Sequence, residues 1–595
     1  MLRLLALILV LVALMGALVQ SPQVRARLKG PVADLKHALF VARLGASRQS
    51  ILLPMPDGVR LATDIYLPRG ADLPLPVVLI RLPYGKTRFG EVRHALSLLL
   101  PQGYAMVVQD MRGRHRSEGV FAPYPDDRAD SAATLDWIAA QDWSTGRVGM
   151  VGCSALGETQ LLAAATRSPV LRAIVPVGAG GAAGTLGGTH GFFGFFEGGV
   201  FTLASGFGWF AGAGEKTPDA QRPAAIDYAA GLATLPVRDA VAAVRPDPTD
   251  YEALLDGFDD PAFWRDSGFL GDADRFDAPF LILDGWYDGA RESLRIAQAM
   301  RDSGAPGTVV ILPGLHCDLT GAFASGAVGD RPVAPEAGRD IDALISGHLA
   351  HALKDAPAPD LPPVLAYVLG ADRWLEAATW PPAEARPVTF HLDAGTLAPD
   401  PPATPGTATF TADPLDPVPS SGGAICCTGD PDLRAGPLDQ RPIEGRRDLL
   451  LYTSAPLEAP LTLAGPIEAE LTVTLDQPDA DLVLRLTEVF PDGRSITVQE
   501  GALRLRYRDG FDAPRLLTPG TPVRVTVPLR DIAAEIPAGH RLRLHVAASS
   551  FPRLARNLHS GKDPARETEA DARPVTITLR EGPSQGGVLR LWALP

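Results

Sequence analysis

The first half of the chain alternates between two hydrophobic patterns. Short apolar runs such as PVVLIRLPY, YAMVVQDMRG, VGMVGCS and AIVPVGA indicate buried strands, and segments with apolar residues at helical spacing separate them. Strands that alternate with helices predict parallel β-α-β units in a doubly wound sheet. Two later runs, PFLILDGWYDG and TVVILPGLH, add strands to it, and ILLPMPDGVRLATDIYLP predicts a leading hairpin that turns at Asp57-Gly58.

The pattern changes twice further along the chain. Residues 181–267 are rich in glycine and aromatic residues (HGFFGFFEGGVF, SGFGWFAG), which predicts an insertion, helical where ordered, between two core segments over 48–180 and 268–355. The proline-rich stretch KDAPAPDLPP predicts a domain boundary. From 364 to 595, runs such as IEAELTVTL, DLVLRLTEVF and HRLRLHVAAS are typical of an antiparallel sandwich or jelly roll.

Composition narrows the possible functions. A chain of 595 residues predicts two or three domains. A net charge of −14 and the lack of any Lys/Arg run argue against a nucleic-acid partner. The four cysteines are too few for a disulfide scaffold, and without a C-x-x-C pair they do not suggest zinc. We interpret each, including the adjacent Cys426 and Cys427, as a buried and inert thiol.

The amino terminus carries an unbroken apolar run from Leu4 to Val19. This run is long for a signal-peptide core and short for a spanning helix, which needs about 20 residues. We therefore set residues 1–30 apart as a leader that anchors the protein in a membrane or directs its export. Arg25, Arg27 and Lys29 follow the run and favour a cytoplasmic body if the leader is retained.

The stretch VGMVGCSALGETQ joins a strand to a helix through a glycine-bounded turn. Gly152 and Gly157 flank Ser154 in the spacing G-x-S-x-x-G, close to the G-x-S-x-G of a nucleophile elbow. Cys153 is the alternative nucleophile. The residue before an elbow nucleophile points back into the sheet, so we predict that Cys153 is a small buried filler and that Ser154 reacts.

The nucleophile needs an acid and a base. In α/β-hydrolases these follow later strands in the order nucleophile, acid, histidine. Asp288 follows FLILDGWY, and His316 is the histidine that directly follows an apolar strand downstream of Ser154 in the α/β half. Asp284 is the alternative acid, but it precedes Gly-Trp-Tyr within the same run, so we prefer Asp288.

An oxyanion hole would need two donors. The backbone N–H of Ala155, directly after the nucleophile, is the first candidate. The second comes from the loop RLPYGK, where the Tyr84 hydroxyl could donate. A tyrosine at a sheet edge with its hydroxyl in water is an equally good interpretation of this position.

Several of these motifs match a known family. The chain over roughly 48–595 resembles the cocaine esterase (CocE/NonD) hydrolases and their relatives, the X-Pro dipeptidyl-peptidases and α-amino-acid ester hydrolases. The motifs are LPYGK, VVQDMRGRHRSEGVF, DWSTGRVGMVGCSALGETQ, DGWYDGARESL, PGLHCDLTG, DPVPSSGG, GPLDQRPIEGRRDLLLYTS and IPAGHRLRLHVAASSFPRLARN.

The resemblance implies a Ser154–His316–Asp288 triad, with the Tyr84 hydroxyl and the Ala155 N–H as oxyanion donors. It implies an α/β-hydrolase core, a helical cap inserted at 181–267 and a C-terminal all-β jelly-roll (galactose-binding-like) domain over 364–595. It implies no cofactor and no metal. The family usually has tyrosine at the position of Ala155, which puts substrate preference in doubt but leaves the backbone donor intact.

The predicted function is hydrolysis of ester or amide bonds in a small molecule or short peptide, through an acyl-enzyme, by a carboxylesterase or acylase. An X-Pro dipeptidyl-peptidase or amino-acid ester hydrolase is the alternative. Either would need a carboxylate for the substrate ammonium, for which Glu158, Glu197 and Glu215 are available. From a different class, a non-catalytic, membrane-tethered protein with a carbohydrate-binding jelly roll is less consistent with the ordered triad.

Aromatic residues in the insertion and beside the acid suggest a bulky apolar substrate. Trp286, Phe192, Phe196 and Trp209 are the candidate substrate-binding residues. Packing between cap and core is the competing explanation, and we expect it to account for most of them.

Overall fold

The computed structural model describes residues 34–186, 195–219 and 225–595. The predicted leader lies outside the described residues. Within the described ranges, no helix combines the length and the apolar character that crossing a membrane requires. Residues 34–43 are helical and lead into the first strand.

The amino-terminal part contains an α/β sheet. Its strands and those of the insertion are β1 (Ala46–Pro54), β2 (Arg60–Pro68), β3 (Leu75–Leu82), β4 (Ala105–Asp110), β5 (Ser144–Cys153), β6 (Leu171–Val177), β7 (Phe196–Glu197), β8 (Val200–Phe201), β9 (Phe280–Gly285), β10 (Gly307–Leu312), β11 (Ala327–Val328), β12 (Arg331–Pro332), β13 (Val364–Val368) and β14 (Arg373–Ala377). Ten of them form one sheet in the described chain, in the order β1-β2-β4-β3-β5-β6-β9-β10-β13-β14. The strands from β4 to β13 in this order run parallel, and the predicted hairpin β1-β2 adds an antiparallel edge.

Helices cover this sheet. In chain order the helices are α1 (Gly90–Leu99), α2 (Asp127–Ala139), α3 (Ala155–Ala165), α4 (Leu203–Ala213), α5 (Tyr228–Ala233), α6 (Ala240–Val244), α7 (Tyr251–Asp256), α8 (Pro261–Asp266), α9 (Ala290–Asp302), α10 (Gly321–Ser325), α11 (Ile341–Lys354) and α12 (Arg441–Glu444). Helix α2 packs on α3, α1 packs on α11, and both pairs contact β5. Helix α11 packs closely on β5 at Gly149, where a Cβ would lie 2.8 Å from the end of the Leu349 side chain. This arrangement is the doubly wound sheet that the sequence predicts.

The insertion lies between β6 and β9. It contains the two-stranded β7-β8 hairpin and the short helices α4 to α8. Its aromatic residues pack on one another: the Phe196 ring lies 4.1 Å from Phe258, and the Phe210 ring lies 5.7 Å from Tyr251. The described part of the predicted helical cap thus combines a small hairpin with the helices that follow it.

The carboxyl-terminal part is an all-β domain. Its strands are β15 (Arg386–Asp393), β16 (Thr396–Ala398), β17 (Gly406–Ala412), β18 (Leu450–Ser454), β19 (Leu461–Leu475), β20 (Asp481–Val489), β21 (Ser495–Arg504), β22 (Val523–Ile536), β23 (Arg541–Ala547), β24 (Val575–Glu581) and β25 (Val588–Ala593). They pair in the order β17-β24-β19-β25-β15-β16-β18-β23-β20-β21, with β22 beside β19, and nearly all pairs are antiparallel. The predicted jelly-roll class is confirmed.

One predicted boundary is placed differently in the structure. The sequence assigned residues from 364 onward to the β domain, but β13 pairs with β10 and β14 pairs with β13 at the edge of the first sheet. The proline-rich stretch before β13 is therefore a connection within the sheet, and the sheets separate only after Ala377. The apolar run VLAYV, which forms β13, could belong to either the first sheet or the β domain. Its hydrophobic pattern alone therefore could not assign it to one of them.

The three regions meet in a buried ionic cluster. Glu197 of the insertion lies 2.7 Å from the Arg553 guanidinium and 3.3 Å from that of Arg530, both in the β domain. Arg530 also donates a hydrogen bond of 3.0 Å to the backbone carbonyl of Asp288. A buried charge left without its partner is strongly destabilising, so this cluster ties the β domain to the segment that carries Asp288.

Candidate active site

The candidate catalytic residues follow neighbouring strands of the first sheet. Ser154 directly follows β5, Tyr84 follows β3, Asp288 follows β9 and His316 follows β10. All four strands are parallel, so their carboxyl ends lie along one edge of the sheet, where open α/β sheets bind ligands.

The turn at Ser154 has the backbone of a nucleophile elbow. Ser154 has φ 59° and ψ −128°, in the left-handed region that non-glycine residues avoid. Its N–H donates to the Val177 carbonyl at 2.8 Å, which holds the turn against β6. Glycines make the turn possible, because a side chain on Gly152 would lie 2.5 Å from Leu156, and one on Gly157 would lie 2.6 Å from Ala179.

The histidine contacts the preferred acid. The two carboxylate oxygens of Asp288 lie 2.9 and 3.0 Å from His316 Nδ1. The alternative acid, Asp284, ends in a different set of contacts: its carboxylate accepts hydrogen bonds from the N–H groups of Gly285 and Gly289 and from the Ser293 hydroxyl. Asp284 therefore organises the loop that presents Asp288 rather than contacting the imidazole ring.

The electrostatics of the pair follow from burial and from these neighbours. Burial acts to lower the pKa of His316, but the neighbouring groups, the Asp288 carboxylate foremost, together outweigh burial, and the pKa of the imidazole lies well above its usual value. Burial and the nearby Asp288 carboxylate raise the pKa of Asp284 well above that of an ordinary aspartate. Asp288 thus stabilises an imidazolium, while Asp284 is held as a neutral hydrogen-bonding group.

The Tyr84 hydroxyl points into the site. It lies near the Ser154 side chain and accepts a hydrogen bond of 3.0 Å from Trp209 Nε1. Burial is the main cause that raises the pKa of Tyr84, so the phenol keeps its proton. Its loop is fixed, because Lys86, two residues further on, contacts Asp110 through both its N–H (2.8 Å) and its ammonium (3.1 Å).

Ala155 begins helix α3 and lines the same cavity as Ser154. The first N–H groups of a helix have no carbonyl partner within it, so the Ala155 N–H is available at the positive end of the helix dipole. The two predicted oxyanion donors, Tyr84 and Ala155, thus follow different strands, β3 and β5, whose carboxyl ends lie beside Ser154.

The interpretation of two cysteines as inert thiols is wrong. Cys153 and Cys317 form a disulfide with a Cα–Cα distance of 5.8 Å and a sequence separation of 164 residues. Cys153 directly precedes Ser154, and Cys317 directly follows His316. Cys153 is buried beneath the elbow, as predicted, but it links the nucleophile loop to the histidine loop instead of merely filling space.

Ser154, Ala155 and His316 open onto a cavity of about 250 Å³. Its apolar lining comes largely from the insertion and includes Phe195, Trp209, Phe210, Leu254, Phe263 and Phe269. Tyr124, Glu158, Cys426 and Cys427 add polar groups to the same wall. A mostly apolar cavity with a few convergent polar groups is the usual form of a small-molecule site.

The structure divides the four predicted substrate-binding aromatics. Trp209 lines the cavity, and Phe192 lies outside the described residues. Trp286 is fully buried elsewhere: its Nε1 donates to the Tyr367 carbonyl at 2.7 Å and its ring packs 5.6 Å from Trp380. Phe196 stacks on Phe258 and leaves the cavity to its neighbour Phe195, because successive residues of an extended segment point to opposite sides. The proposals for Trp286 and Phe196 are therefore wrong.

The three carboxylates considered for ammonium binding also differ. Glu197 is paired with Arg530 and Arg553, as described above, and Glu215 lies 3.1 Å from the Arg114 guanidinium and 3.2 Å from that of Arg245. Glu158 faces the cavity, accepts a hydrogen bond from Tyr124 and, among the described residues, pairs with no Lys or Arg. Burial raises the pKa of Glu158 to about 7.

Sequence reasoning missed the disulfide, Tyr124 and the position of Cys426 and Cys427. Only the adjacency of the last two was visible in the sequence, and it gave no hint that a loop of the β domain reaches the cavity. One ring nitrogen of His316 and the sulfurs of Cys426 and Cys427 all lie within 4.8 Å of one another. These three residues could hold a metal ion.

Fold and site together define a class: an α/β-hydrolase whose elbow serine, histidine and aspartate meet at the carboxyl edge of the sheet. Comparisons with known proteins give the same class. The model of the X-Pro dipeptidyl-peptidase (S15 family) matches residues 57–318, and that of the X-Pro dipeptidyl-peptidase C-terminal non-catalytic domain matches 358–585. The chain is 34% identical over 568 residues to a cocaine esterase from Rhodococcus sp. (strain MB1 Bresler), covering 90% of this chain and 96% of that protein.

The chain belongs to the cocaine esterase (CocE/NonD) family of serine hydrolases, which is related to the S15 peptidases. It is an enzyme that acts on ester or amide bonds. Solved structures agree with the fold. The α-amino acid ester hydrolase aligns with a TM-score of 0.78 and 25% identity over 92% of this chain and 97% of its own. An aminopeptidase from the marine sediment archaeon Thaumarchaeota archaeon aligns with a TM-score of 0.81 and 23% identity over 93% and 97%.

Proposed function

We propose that the chain is a carboxylesterase or acylase for substrates with a bulky apolar acyl group, in which Ser154, His316 and Asp288 perform the chemistry. The observation that carries this proposal is the contact of Asp288 with Nδ1 of His316, which lines the same apolar cavity as Ser154. Family membership restricts the reaction to acyl transfer, and the lining of the cavity suggests the acyl group.

Each residue has a defined part in the proposed reaction. Because Nδ1 of His316 donates to Asp288, Nε2 is the nitrogen that accepts the Ser154 proton as the serine oxygen attacks the carbonyl carbon. Tyr84 and the Ala155 N–H donate to the oxygen that becomes negative. Collapse of this tetrahedral species expels the alcohol or amine, which takes its proton from His316. Water then enters by the same steps, and the acid product leaves with Ser154 regenerated.

An active-site-directed fluorophosphonate tests the roles of these residues. We expect stoichiometric labelling of Ser154 in the folded protein, located by peptide mass spectrometry, and none in Ser154→Ala. Labelling of Cys153 or of another serine would contradict the proposal. A panel of aryl esters with acyl groups from acetyl to benzoyl then tests the cavity: kcat/KM is expected to rise with apolar bulk.

A second candidate, hydrolysis of aminoacyl esters or X-Pro amides, is favoured by one observation. Glu158 faces the cavity without a cationic partner among the described residues, so its carboxylate could receive a substrate ammonium. Comparing a free-amine substrate with its N-acetylated counterpart separates the two candidates. A kcat/KM at least 10-fold higher for the free amine, lost in Glu158→Gln, would replace the first proposal with the second.

We propose further that the body works in an oxidising compartment and reaches it through the apolar leader. The supporting observation is the Cys153–Cys317 disulfide, since such bonds persist outside the cytoplasm. This orientation is opposite to the cytoplasmic body that the basic residues after the leader favour. Alkylation of the protein taken from its native cells is expected to label two thiols before reduction and four after reduction. Four thiols before reduction, in the cytosolic fraction, would contradict the proposal.

A further inference from the structure

Two cysteines of the β domain face the proposed base. Cys426 and Cys427 line the cavity that Ser154 and His316 also line. Their sulfurs and one ring nitrogen of His316 lie within 4.8 Å of one another. Both residues are free thiols, Cys426 half-buried and Cys427 exposed.

The loop that carries these thiols is held in place by its backbone. We call residues 423–430 the dithiol loop. At its start, the N–H of Gly423 donates to the Gly436 carbonyl and the reverse bond is also made, each at 2.8 Å. The Cys426 N–H donates to the Ser205 hydroxyl of α4 at 3.3 Å. A side chain on Gly208 of the same helix would lie 2.4 Å from the Cys427 carbonyl oxygen, so the loop lies directly on α4.

The donor set suits a soft cation. Two thiolates and an imidazole are three of the four ligands of a tetrahedral zinc site, with the fourth position left for water or substrate. Ligand atoms around such a zinc lie about 3.6–3.8 Å apart, as bond lengths near 2.3 Å to sulfur and 2.0–2.1 Å to nitrogen require. The three ligand atoms lie within 4.8 Å of one another, close to these distances, and Cys427 is the exposed member of the set.

A second triplet meets the same distance criterion but not the chemistry. Cys153, Cys317 and His316 also offer atoms within 4.8 Å of one another. Their sulfurs are joined in the disulfide, and therefore neither can become the thiolate that a metal requires. The dithiol loop is thus the source of thiolate ligands beside His316.

The geometry points to an inhibitory site for a soft divalent cation such as Zn²⁺, formed by the sulfurs of Cys426 and Cys427 and by Nε2 of His316. Binding replaces the two thiol protons, so one Zn²⁺ enters and two H⁺ leave. Nδ1 of His316 stays with Asp288, and a carboxylate on the far ring nitrogen is the usual support of a zinc-bound histidine. The metal occupies the lone pair that would accept the Ser154 proton, which stops acyl transfer. This last step rests on the proposed function, whereas metal binding does not.

Inhibition is the first test. The sample is protein that shows two titratable thiols per chain, which means that its disulfide is intact. Its rate of aryl ester hydrolysis is measured at increasing Zn²⁺ concentrations. The rate of each variant is divided by the rate of the same variant without metal. We expect inhibition that a chelator reverses, with a half-inhibitory concentration at least 100-fold higher in Cys426→Ser/Cys427→Ser and intermediate in Cys427→Ser alone. His94→Ala is the control, because His94 is an exposed surface histidine paired with Asp342. An equal response of the wild type and the double variant would overturn the proposal.

Metal binding itself is measured in a protein that cannot turn over. Co²⁺ added to Ser154→Ala is expected to give a thiolate-to-cobalt charge-transfer band that saturates at one equivalent of metal. The band should be absent when Cys426→Ser and Cys427→Ser are added to Ser154→Ala. It should be weaker when His316→Ala is added instead. Absence of this band in Ser154→Ala would overturn the site even if ester hydrolysis is confirmed. If the band forms but Zn²⁺ does not inhibit ester hydrolysis, the assignment of His316 Nε2 as a ligand is overturned. The band in a protein without any hydrolase activity would refute the proposed function and support the site.

Discussion

The two sides of the cavity are built in different ways. We call Ser154 and His316, which line the cavity, together with Asp288 and Tyr84 behind them, the triad wall, and the apolar residues Phe195, Trp209 and Phe210 the cap wall. The triad wall is fixed by directional contacts, such as the Asp288 oxygens at 2.9 and 3.0 Å from His316, and by the disulfide behind it. The cap wall is held by ring packing, with the Phe195 ring 5.5 Å from Phe210 and 6.3 Å from Trp209.

This difference has a consequence for function. Hydrogen bonds lose their strength when donor and acceptor move by a few tenths of an ångström, whereas apolar packing tolerates a change of partner if volume is conserved. Changes in the triad wall should therefore lower kcat for every substrate. Changes in the cap wall, in Glu158 or in the dithiol loop should alter which substrates bind.

The largest effect is expected at the acid. In Asp288→Asn the His316 ring loses the carboxylate that fixes its tautomer and stabilises its protonated form, and kcat should fall about 10⁴-fold. Asp284→Asn is the matched control, four residues earlier, near the end of strand β9. Since Asp284 is already held neutral, an amide there should cost kcat far less. Steady-state kinetics with one aryl ester compare the two, and equal losses would reverse the assignment of the acid.

A smaller loss is expected at the oxyanion donor. Tyr84→Phe removes the hydroxyl and should lower kcat about 10²- to 10³-fold with little change in KM, because the donor acts on the charge of the transition state. Tyr124→Phe is the control, since its hydroxyl bonds Glu158. If both variants lose activity equally, or if Tyr84→Phe changes only KM, Tyr84 is not an oxyanion donor.

The disulfide should contribute to both stability and rate. Cys153→Ser/Cys317→Ser removes a cross-link that closes a loop of more than 160 residues, which should lower the free energy of unfolding by about 2–4 kcal/mol. We also expect kcat to fall about 10-fold, because small displacements of the histidine loop relative to Ser154 misalign the proton transfer. Denaturant unfolding and kinetics measure these effects. Reduction of the wild type should reproduce them, and a double variant that still responds to reductant would contradict this explanation.

Most of the triad wall was predictable from sequence, and most of the cap wall was not. Ser154, Asp288 and His316 follow apolar strand runs, and parallel strands bring such positions to one edge. The sequence contains no comparable rule for pairs such as Cys153 and Cys317, whose contact depends on the whole sheet. Trp286 was assigned wrongly because sequence places it beside the acid but does not say that its side chain turns toward Tyr367. Cys426 reaches the cavity from the β domain, and no hydrophobic pattern in the sequence indicates that these two regions lie close together.

The smallest effect is expected at Glu158, and it depends on pH. Burial raises the pKa of this carboxyl from 4.5 to about 7, so it is protonated below neutral pH and ionised above. For a substrate with a protonated amine, KM should therefore fall several-fold as pH rises through about 7, and for a neutral ester it should not. Glu158→Gln should abolish this pH dependence while leaving kcat for the neutral ester within a few-fold of the wild type. A neutral-ester KM with the same pH dependence would assign the titration to His316 instead.

Stability provides an independent measure of the same group. Between pH 4.5 and about 7 the folded chain keeps a proton on Glu158 that the unfolded chain has released, so folding stability decreases as pH rises through this interval. The decrease attributable to Glu158 is on the order of 3 kcal/mol, and Glu158→Gln should remove it. Unfolding curves of both proteins at pH 5 and pH 8 measure the difference. If the two proteins lose stability in parallel, Glu158 is ionised at both pH values, and the cavity holds a permanent negative charge opposite the apolar cap wall.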